Sequence, residues 1–81
     1  VRKILYEKEH FETIEFDSFD EAINHLIVGD NVLAFHNCGR YLMKVYDINK
    51  DCITCTDNVG MVQFRCRSNW SKNGLVRVND F

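Results

Sequence analysis

Apolar and polar side chains alternate with a period of two through most of this 81-residue chain. That period is typical of β-strands, because successive side chains of a strand point to opposite faces of the sheet. The alternation therefore predicts a protein built mainly from strands. Seven are predicted, over Lys3–Tyr6, Phe11–Phe16, Asn31–His36, Arg40–Asp47, Asp51–Asp57, Met61–Arg67 and Leu75–Val78.

One stretch has a helical period and predicts a helix over about residues 18–28. Ser18 and Glu21 have the spacing of a capping box, in which both side chains accept hydrogen bonds from backbone N–H groups at the helix start. Gly29 is expected to end the helix. The apolar residues that share one helical face are Phe19, Ala22, Ile23, Leu26 and Ile27.

Short turns are predicted between the strands that follow this helix. Residues 37–39, 48–50 and 57–60 leave room only for antiparallel neighbours, and the chain has no proline, so Asn, Asp and Gly must form its turns. With 46% hydrophobic residues, the chain is expected to fold as a single domain over residues 1–81. The predicted fold class is α+β: a small, strongly bent antiparallel sheet or an SH3-like barrel of five to seven strands, with one helix.

Charge is distributed unevenly along the chain. Residues 1–30 carry eight acidic and three basic side chains, whereas residues 31–81 carry four acidic and seven basic ones. A general nucleic-acid binder is usually basic over the whole domain, so the net charge of −2 argues against that class. It leaves room for one localised site for an anion or a protein partner.

The segment from Gln63 to Arg77 contains three arginines, one lysine and the only tryptophan. Guanidinium groups beside an aromatic ring suit phosphate binding and base stacking, and they equally suit a protein interface, where Trp and Arg are common anchors. The alternative is that the arginines protect an edge strand and that the tryptophan fills the end of the barrel. The candidate binding residues are Gln63, Arg65, Arg67, Trp70, Lys72 and Arg77.

Alternation on the predicted strand Met61–Arg67 divides its side chains between two faces. Val62, Phe64 and Cys66 fall on one face, and the face that carries Gln63, Arg65 and Arg67 is expected to lie outside the core.

Four cysteines, Cys38, Cys52, Cys55 and Cys66, raise the question of a metal site or disulfides. Cys52 and Cys55 have the spacing of a zinc ligand pair, but within a strand they would point to opposite faces, and no second pair matches. The cysteines are therefore expected to be reduced, with some packed as small core residues. No metal and no cofactor is predicted.

Enzyme activity is the least supported class of function. A nucleophilic Cys38 activated by His36 or His25 would need an oriented base and an oxyanion site, and the sequence indicates neither. Phosphate-cradling glycine loops and HExxH-type metal motifs are also missing from the sequence. No catalytic residue is predicted.

The pattern Phe19-x-Glu21-Ala22-Ile23-x-x-Leu26-x-x-Gly29-x-x-Val32 resembles the opening of small bacteriophage proteins in which a short helix leads into an SH3-like sheet. Some members of that group antagonise bacterial immunity by sequestering cyclic-nucleotide signals, so the resemblance implies a viral counter-defence role. The chain departs from the group after Val32, where Leu33–His36 lack the expected tryptophan, and in its C-terminal segment. No ligand-binding residue is carried over.

The leading hypothesis is a small non-enzymatic binding protein, encoded by a phage, that inhibits a host defence protein by protein–protein contact. A nucleotide-signal or nucleic-acid binding module using the face from Arg65 to Arg77 is the second hypothesis, and a structural or assembly subunit is the third. The acidic segment Glu7–Glu15 is a rival contact surface. No apolar run is long enough to span a bilayer, so a cytoplasmic protein in the host cell without a membrane partner is expected. The expected oligomeric state is a monomer or a homodimer.

Overall fold

The computed structural model describes the backbone of residues 2–6, 9–36, 39–71 and 74–79, and the side chains of residues 13–35, 39–71 and 74–79. Within these ranges the chain forms one α-helix, one 3-10 turn and seven strands. Their bounds are β1 Arg2–Tyr6, β2 Glu9–Glu15, α1 Phe19–His25, β3 Asn31–His36, β4 Gly39–Ile48, β5 Cys52–Thr56, β6 Val62–Cys66, the 3-10 turn Arg67–Asn69 and β7 Leu75–Val78. The strands agree with the predicted ones to within two residues at each end.

All seven strands belong to one antiparallel sheet in the order β1-β2-β7-β3-β4-β5-β6. The predicted α+β class is confirmed in its first form, a bent antiparallel sheet with one helix. In the described part of the chain the edge strands β1 and β6 pair with no further strand, so the sheet stays open and does not close into a barrel. The predicted turn at residues 37–39 falls partly outside the described residues.

The helix begins where the sequence predicts and ends earlier. Ser18 accepts a hydrogen bond from the backbone N–H of Glu21 at 3.1 Å, and the Glu21 carboxylate accepts one from the N–H of Asp17 at 3.3 Å. The last helical residue is His25, because the Asp30 carboxylate accepts the backbone N–H of Ile27 at 2.9 Å and draws the chain into a turn. Gly29 occupies this turn, at a φ of 98°, and not the helix end.

The core lies between α1 and one face of the sheet. Buried side chains from the helix and its flanks pack on buried side chains from β3, β4, β5 and β7: Phe16, Phe19, Ala22, Leu26, Val32, Ala34, Met43, Val45, Ile53, Cys55 and Leu75. A smaller cluster of Leu33, Val76 and Val78 is buried on the opposite face of the sheet. The central strands β3 and β7 are therefore buried on both faces.

The cysteine prediction is wrong for two of the four residues. Cys52 and Cys66 lie directly opposite each other on β5 and β6, with their Cα atoms 4.0 Å apart, and form a disulfide. The prediction relied on an intracellular redox environment, whereas the strand register places these two side chains next to each other. Cys55 is a free buried thiol that packs in the core, and it lies on the opposite face of β5 from Cys52, as predicted. Cys38 lies outside the described residues.

The face prediction for β6 is also wrong. Ile53 and Cys55 face the core, and the register of the β5–β6 hairpin pairs them with Arg65 and Gln63. Val62 and Phe64 therefore lie on the opposite side, where their side chains are 47% and 57% exposed. Hydrophobicity alone assigned this strand, but the hairpin register decides which side of the sheet each residue faces.

Candidate binding surface

Arg65, at the centre of the predicted basic face, is a partly buried cross-link within the fold. Its Nη2 atom donates to the Phe35 carbonyl and to the Gln63 side-chain oxygen, both at 2.7 Å, and its Nε donates to the Gly74 carbonyl at 3.4 Å. These contacts connect the edge strand β6 to the end of β3 and to the segment before β7. Gln63 and Arg65 are thus engaged with each other and with the backbone.

Arg67 holds the start of the helix against the 3-10 turn. Its Nη2 atom lies 2.8 Å from an Asp20 carboxylate oxygen and donates to the Lys50 carbonyl at 2.9 Å, and its guanidinium stands 4.8 Å from the centre of the Phe19 ring. The hydrogen bond from Arg67 lowers the pKa of Asp20, and the same bond raises the pKa of Arg67. Both side chains are solvent-exposed, so the pair is a surface contact.

Trp70 packs against the core and meets the Phe19 ring edge-on, with 5.7 Å between ring centres. Its indole N–H is buried, and no hydrogen-bond acceptor for it is found among the described residues. The tryptophan therefore contributes mainly hydrophobic packing beside the helix, which is the alternative role that the sequence left open for it.

Arg77 lies on β7, on the core side, and its Nε is 3.4 Å from a carboxylate oxygen of Asp30. That carboxylate also holds the turn between α1 and β3. Lys72 lies outside the described residues. The five described candidates thus divide into three groups with different partners, and no single open face with an aromatic ring between free cations is formed.

Two exposed apolar side chains lie next to each other on the free edge strand of the sheet, and others are scattered over the turns and β4. Val62 and Phe64 on β6 form a patch that we call the apolar edge surface, while the exposed Met61 just before the strand contacts the Gln63 side chain on the other side of the sheet. The β5 residues beside it on the same side of the sheet are Thr54 and Thr56. Threonines here indicate a solvent-exposed face of the sheet, because a core face would carry larger apolar side chains.

One open groove is lined in part by the apolar edge surface, and a second lies beside Thr56, the β5 partner of Val62. One, of about 560 Å³, follows β6 from Met61 to Arg65 and is bounded by Tyr41 and Asn69. The other, of about 470 Å³, lies beside Leu42, Lys44 and Thr56. A concave strip next to exposed apolar residues is the shape that receives a protein segment.

Sequence reasoning missed this surface although a signal was present. The hairpin turn at residues 57–60 fixes which residues of β5 and β6 are opposite each other, and with that register the apolar side of β6 meets the threonines of β5. When each strand is considered separately, its pattern does not show that the apolar side of β6 lies beside threonines and not beside core residues.

The described residues offer little reactive chemistry. Burial raises the pKa of the Cys55 thiol to about 11, so this sulfur is a weak nucleophile at neutral pH. Among the described side chains, no group of three or more His, Cys, Asp or Glu is placed to hold a metal ion. In the same part of the chain no helix is long and apolar enough to cross a membrane.

Comparison of the chain with models of known protein families, with curated proteins and with solved structures finds no match. The choice of binding surface therefore depends on the geometry of this chain alone.

Proposed function

We propose that this chain is a small, non-enzymatic protein-binding domain that acts by contact through its apolar edge surface. The observation that supports this function is the exposure of Val62 and Phe64, side by side on the free edge strand β6. Exposed aromatic and aliphatic side chains beside a groove are typical anchors of a protein interface.

Nucleotide or nucleic-acid binding receives less support. Arg65, Arg67 and Arg77 would have to give up contacts to carbonyls or carboxylates before they could bind phosphates. Trp70, which is partly buried and packs against the core, would have to give up part of that packing before a base could stack on it. Both changes would cost folding free energy, so an apolar protein contact is the better fit.

The proposed partner is a host protein, in keeping with the resemblance of Phe19–Val32 to phage proteins that antagonise bacterial immunity. On this proposal the chain is phage-encoded, works in the host cytoplasm and inhibits a defence protein by covering part of its surface. The contact requires no reaction and no cofactor.

Site-specific photo-crosslinking in the host tests the proposed function. A photoreactive phenylalanine analogue at Phe64 should yield a discrete crosslinked partner, and excess unlabelled wild-type chain should compete it away. The same analogue at Tyr46, an exposed aromatic residue on β4, is the matched control and should yield much less. Equal crosslinking from the two positions, or none from Phe64, would contradict a partner surface at β6.

A substitution provides an independent measurement with the captured partner. Phe64→Ser should weaken its binding by about tenfold or more, since a buried aromatic anchor is lost. Tyr46→Ser should leave the affinity nearly unchanged.

A further inference from the structure

Arg65 carries a positive charge that no carboxylate balances at ion-pair distance within the described part of the chain. Its guanidinium donates only to neutral acceptors, which are the carbonyls of Phe35, Phe64 and Gly74 and the side-chain oxygen of Gln63. The other two arginines of the segment each have a carboxylate partner. Because partly buried charges in proteins are usually paired, Arg65 is suited to an anion from outside the chain.

The groove of about 560 Å³ along β6 surrounds this cation with further hydrogen-bond donors. Tyr41, Gln63 and Asn69 line it together with Arg65. The side-chain oxygen of Gln63 accepts from Arg65 at 2.7 Å, and that of Asn69 accepts from the Cys66 N–H at 2.9 Å, so each amide presents its NH2 group. The Tyr41 hydroxyl has no hydrogen-bond partner among the described residues. The groove is therefore rich in donors and poor in acceptors.

One N–H of the Arg65 guanidinium remains for a ligand. Of its five N–H groups, the internal hydrogen bonds use the one on Nε, one on Nη1 and both on Nη2. The second Nη1 N–H can bind one anionic oxygen while Arg65 keeps all its contacts within the fold. A carboxylate, with one negative charge and two oxygens, matches one cation with neutral donors beside it. A phosphate would need N–H groups that are already engaged.

We infer that this groove binds the carboxylate of an acidic side chain that belongs to the protein partner. The inference rests on the proposed function and specifies the chemistry of the partner. Val62 and Phe64 also line the groove, so it reaches the apolar edge surface around the free edge of β6. A partner segment that passes around this edge can place an apolar residue on one side and an acidic residue in the groove. Charge complementarity selects the acidic occupant.

A nuclear magnetic resonance titration of the isolated, isotope-labelled chain tests the site without the partner. The probe is aspartate blocked at both ends as its N-acetyl amide, which carries a single carboxylate. The side-chain signals of Asn69, Gln63 and the Arg65 Nε–H should shift and saturate in the millimolar range. The corresponding asparagine compound, which is neutral and of the same shape, should cause no saturable shift. Inorganic phosphate should bind less tightly than the aspartate probe.

Asn69→Asp is the variant that tests the groove most directly. It keeps the oxygen that accepts the Cys66 N–H and replaces the NH2 donor with a negative charge. The aspartate probe should bind about tenfold or more weakly, because two like charges would share the groove. Asn49→Asp is the matched control, since Asn49 also accepts backbone N–H groups, from Asp51 and Cys52, and does not line the groove. It should leave the affinity nearly unchanged.

Tyr41→Phe provides a second variant that adds no charge. It removes one hydroxyl donor and keeps the ring, so the aspartate probe should bind about threefold more weakly. Thermal unfolding of each variant checks that the fold is intact, and Tyr41→Phe decides the matter if Asn69→Asp does not fold.

An aspartate probe that gives no saturable shift would overturn the inference, as would equal affinity for the wild type and a folded Asn69→Asp. Tighter binding of phosphate would overturn the assignment to a carboxylate. A partner captured by crosslinking at Phe64 that binds Asn69→Asp and Asn49→Asp equally well would reject this inference and leave the proposed function intact. Saturable binding of the aspartate probe without any captured partner would reject the proposed function, and with it the partner as the source of the carboxylate.

Discussion

Arg65 and Arg67 are two residues apart, yet their guanidinium groups have different environments. Arg65 is partly buried and bonds backbone carbonyls of two distant segments, while Arg67 is exposed and pairs with Asp20. Removing a charged donor from partly buried carbonyls loses strong hydrogen bonds, whereas the groups of an exposed ion pair are readily hydrated when it is broken. Stability should therefore depend more on Arg65.

We predict that Arg65→Met lowers the free energy of unfolding by about 2 kcal/mol, because the donors to Phe35 and Gly74 are lost while the aliphatic stem is kept. Arg67→Met, the matched control, should cause a smaller loss. Urea unfolding of the two variants measures the difference. A larger loss for Arg67→Met would show that the exposed pair, and not the buried one, stabilises the sheet edge.

Cys55 makes stability depend on pH in the alkaline range. Its pKa is raised from 9.0 to about 11 by burial, so between these values the unfolded thiol ionises while the folded one does not. Stability is fully present below pH 9, and we predict a loss of about 1.4 kcal/mol per pH unit from this residue as the pH rises towards 11. Cys55→Ala should show a shallower alkaline slope in urea unfolding. Identical slopes would mean that the thiol ionises equally in both states.

At the scale of the element, β6 is connected to the rest of the sheet by three different kinds of contact. It pairs with β5 along one side only, and it is fastened by the disulfide at one end and by Arg65 at its centre. The helix, by contrast, is fixed by local bonds at its start and by its buried face. The edge strand therefore depends on tertiary contacts far more than α1 does.

Removing the disulfide should weaken β6 and the whole fold. The bridge joins residues 14 positions apart, and a loop of this length predicts a stabilisation of about 3 kcal/mol through the unfolded chain. We expect the double variant Cys52→Ser, Cys66→Ser to show that loss in urea unfolding. Reductant should destabilise the wild type by a similar amount and leave the double variant unchanged. A wild-type midpoint that does not respond to reductant would contradict the bridge.

At the scale of the whole molecule, the three arginines of the segment from Gln63 to Arg77 hold parts of the fold together. Arg67 connects the helix to the 3-10 turn, Arg77 meets the turn after the helix, and Arg65 spans the open side of the bent sheet. These arginines thus make contacts within the fold. The exposed feature of the free edge is the apolar edge surface.

We therefore expect weak binding of single-stranded oligonucleotides, with no saturable change in Trp70 fluorescence at low salt. Binding that saturates and declines steeply with added salt would indicate that these arginines are available to phosphates after all. Arg67→Met is the useful variant in that case, because Arg67 is the exposed one of the pair.

Local sequence determined much of this architecture. Ser18 specifies where the helix starts through its own side-chain oxygen, and the apolar-rich runs Asn31–His36 and Leu75–Val78 indicate where β3 and β7 lie, because these signals depend on neighbours in the chain. The antiparallel hairpins follow from turns too short for any other connection.

Only the tertiary structure decided what happens at the edge of the sheet. Arg65 finds its acceptor at Phe35, 30 residues earlier, and Cys66 finds Cys52 through the register of two strands. The same register turns Val62 and Phe64 outwards, although their hydrophobicity suggested the core. An alternation with a period of two indicates that a strand has two different faces, but the neighbouring strands decide which face is covered. The candidate binding surface therefore could not be predicted from composition and alternation alone.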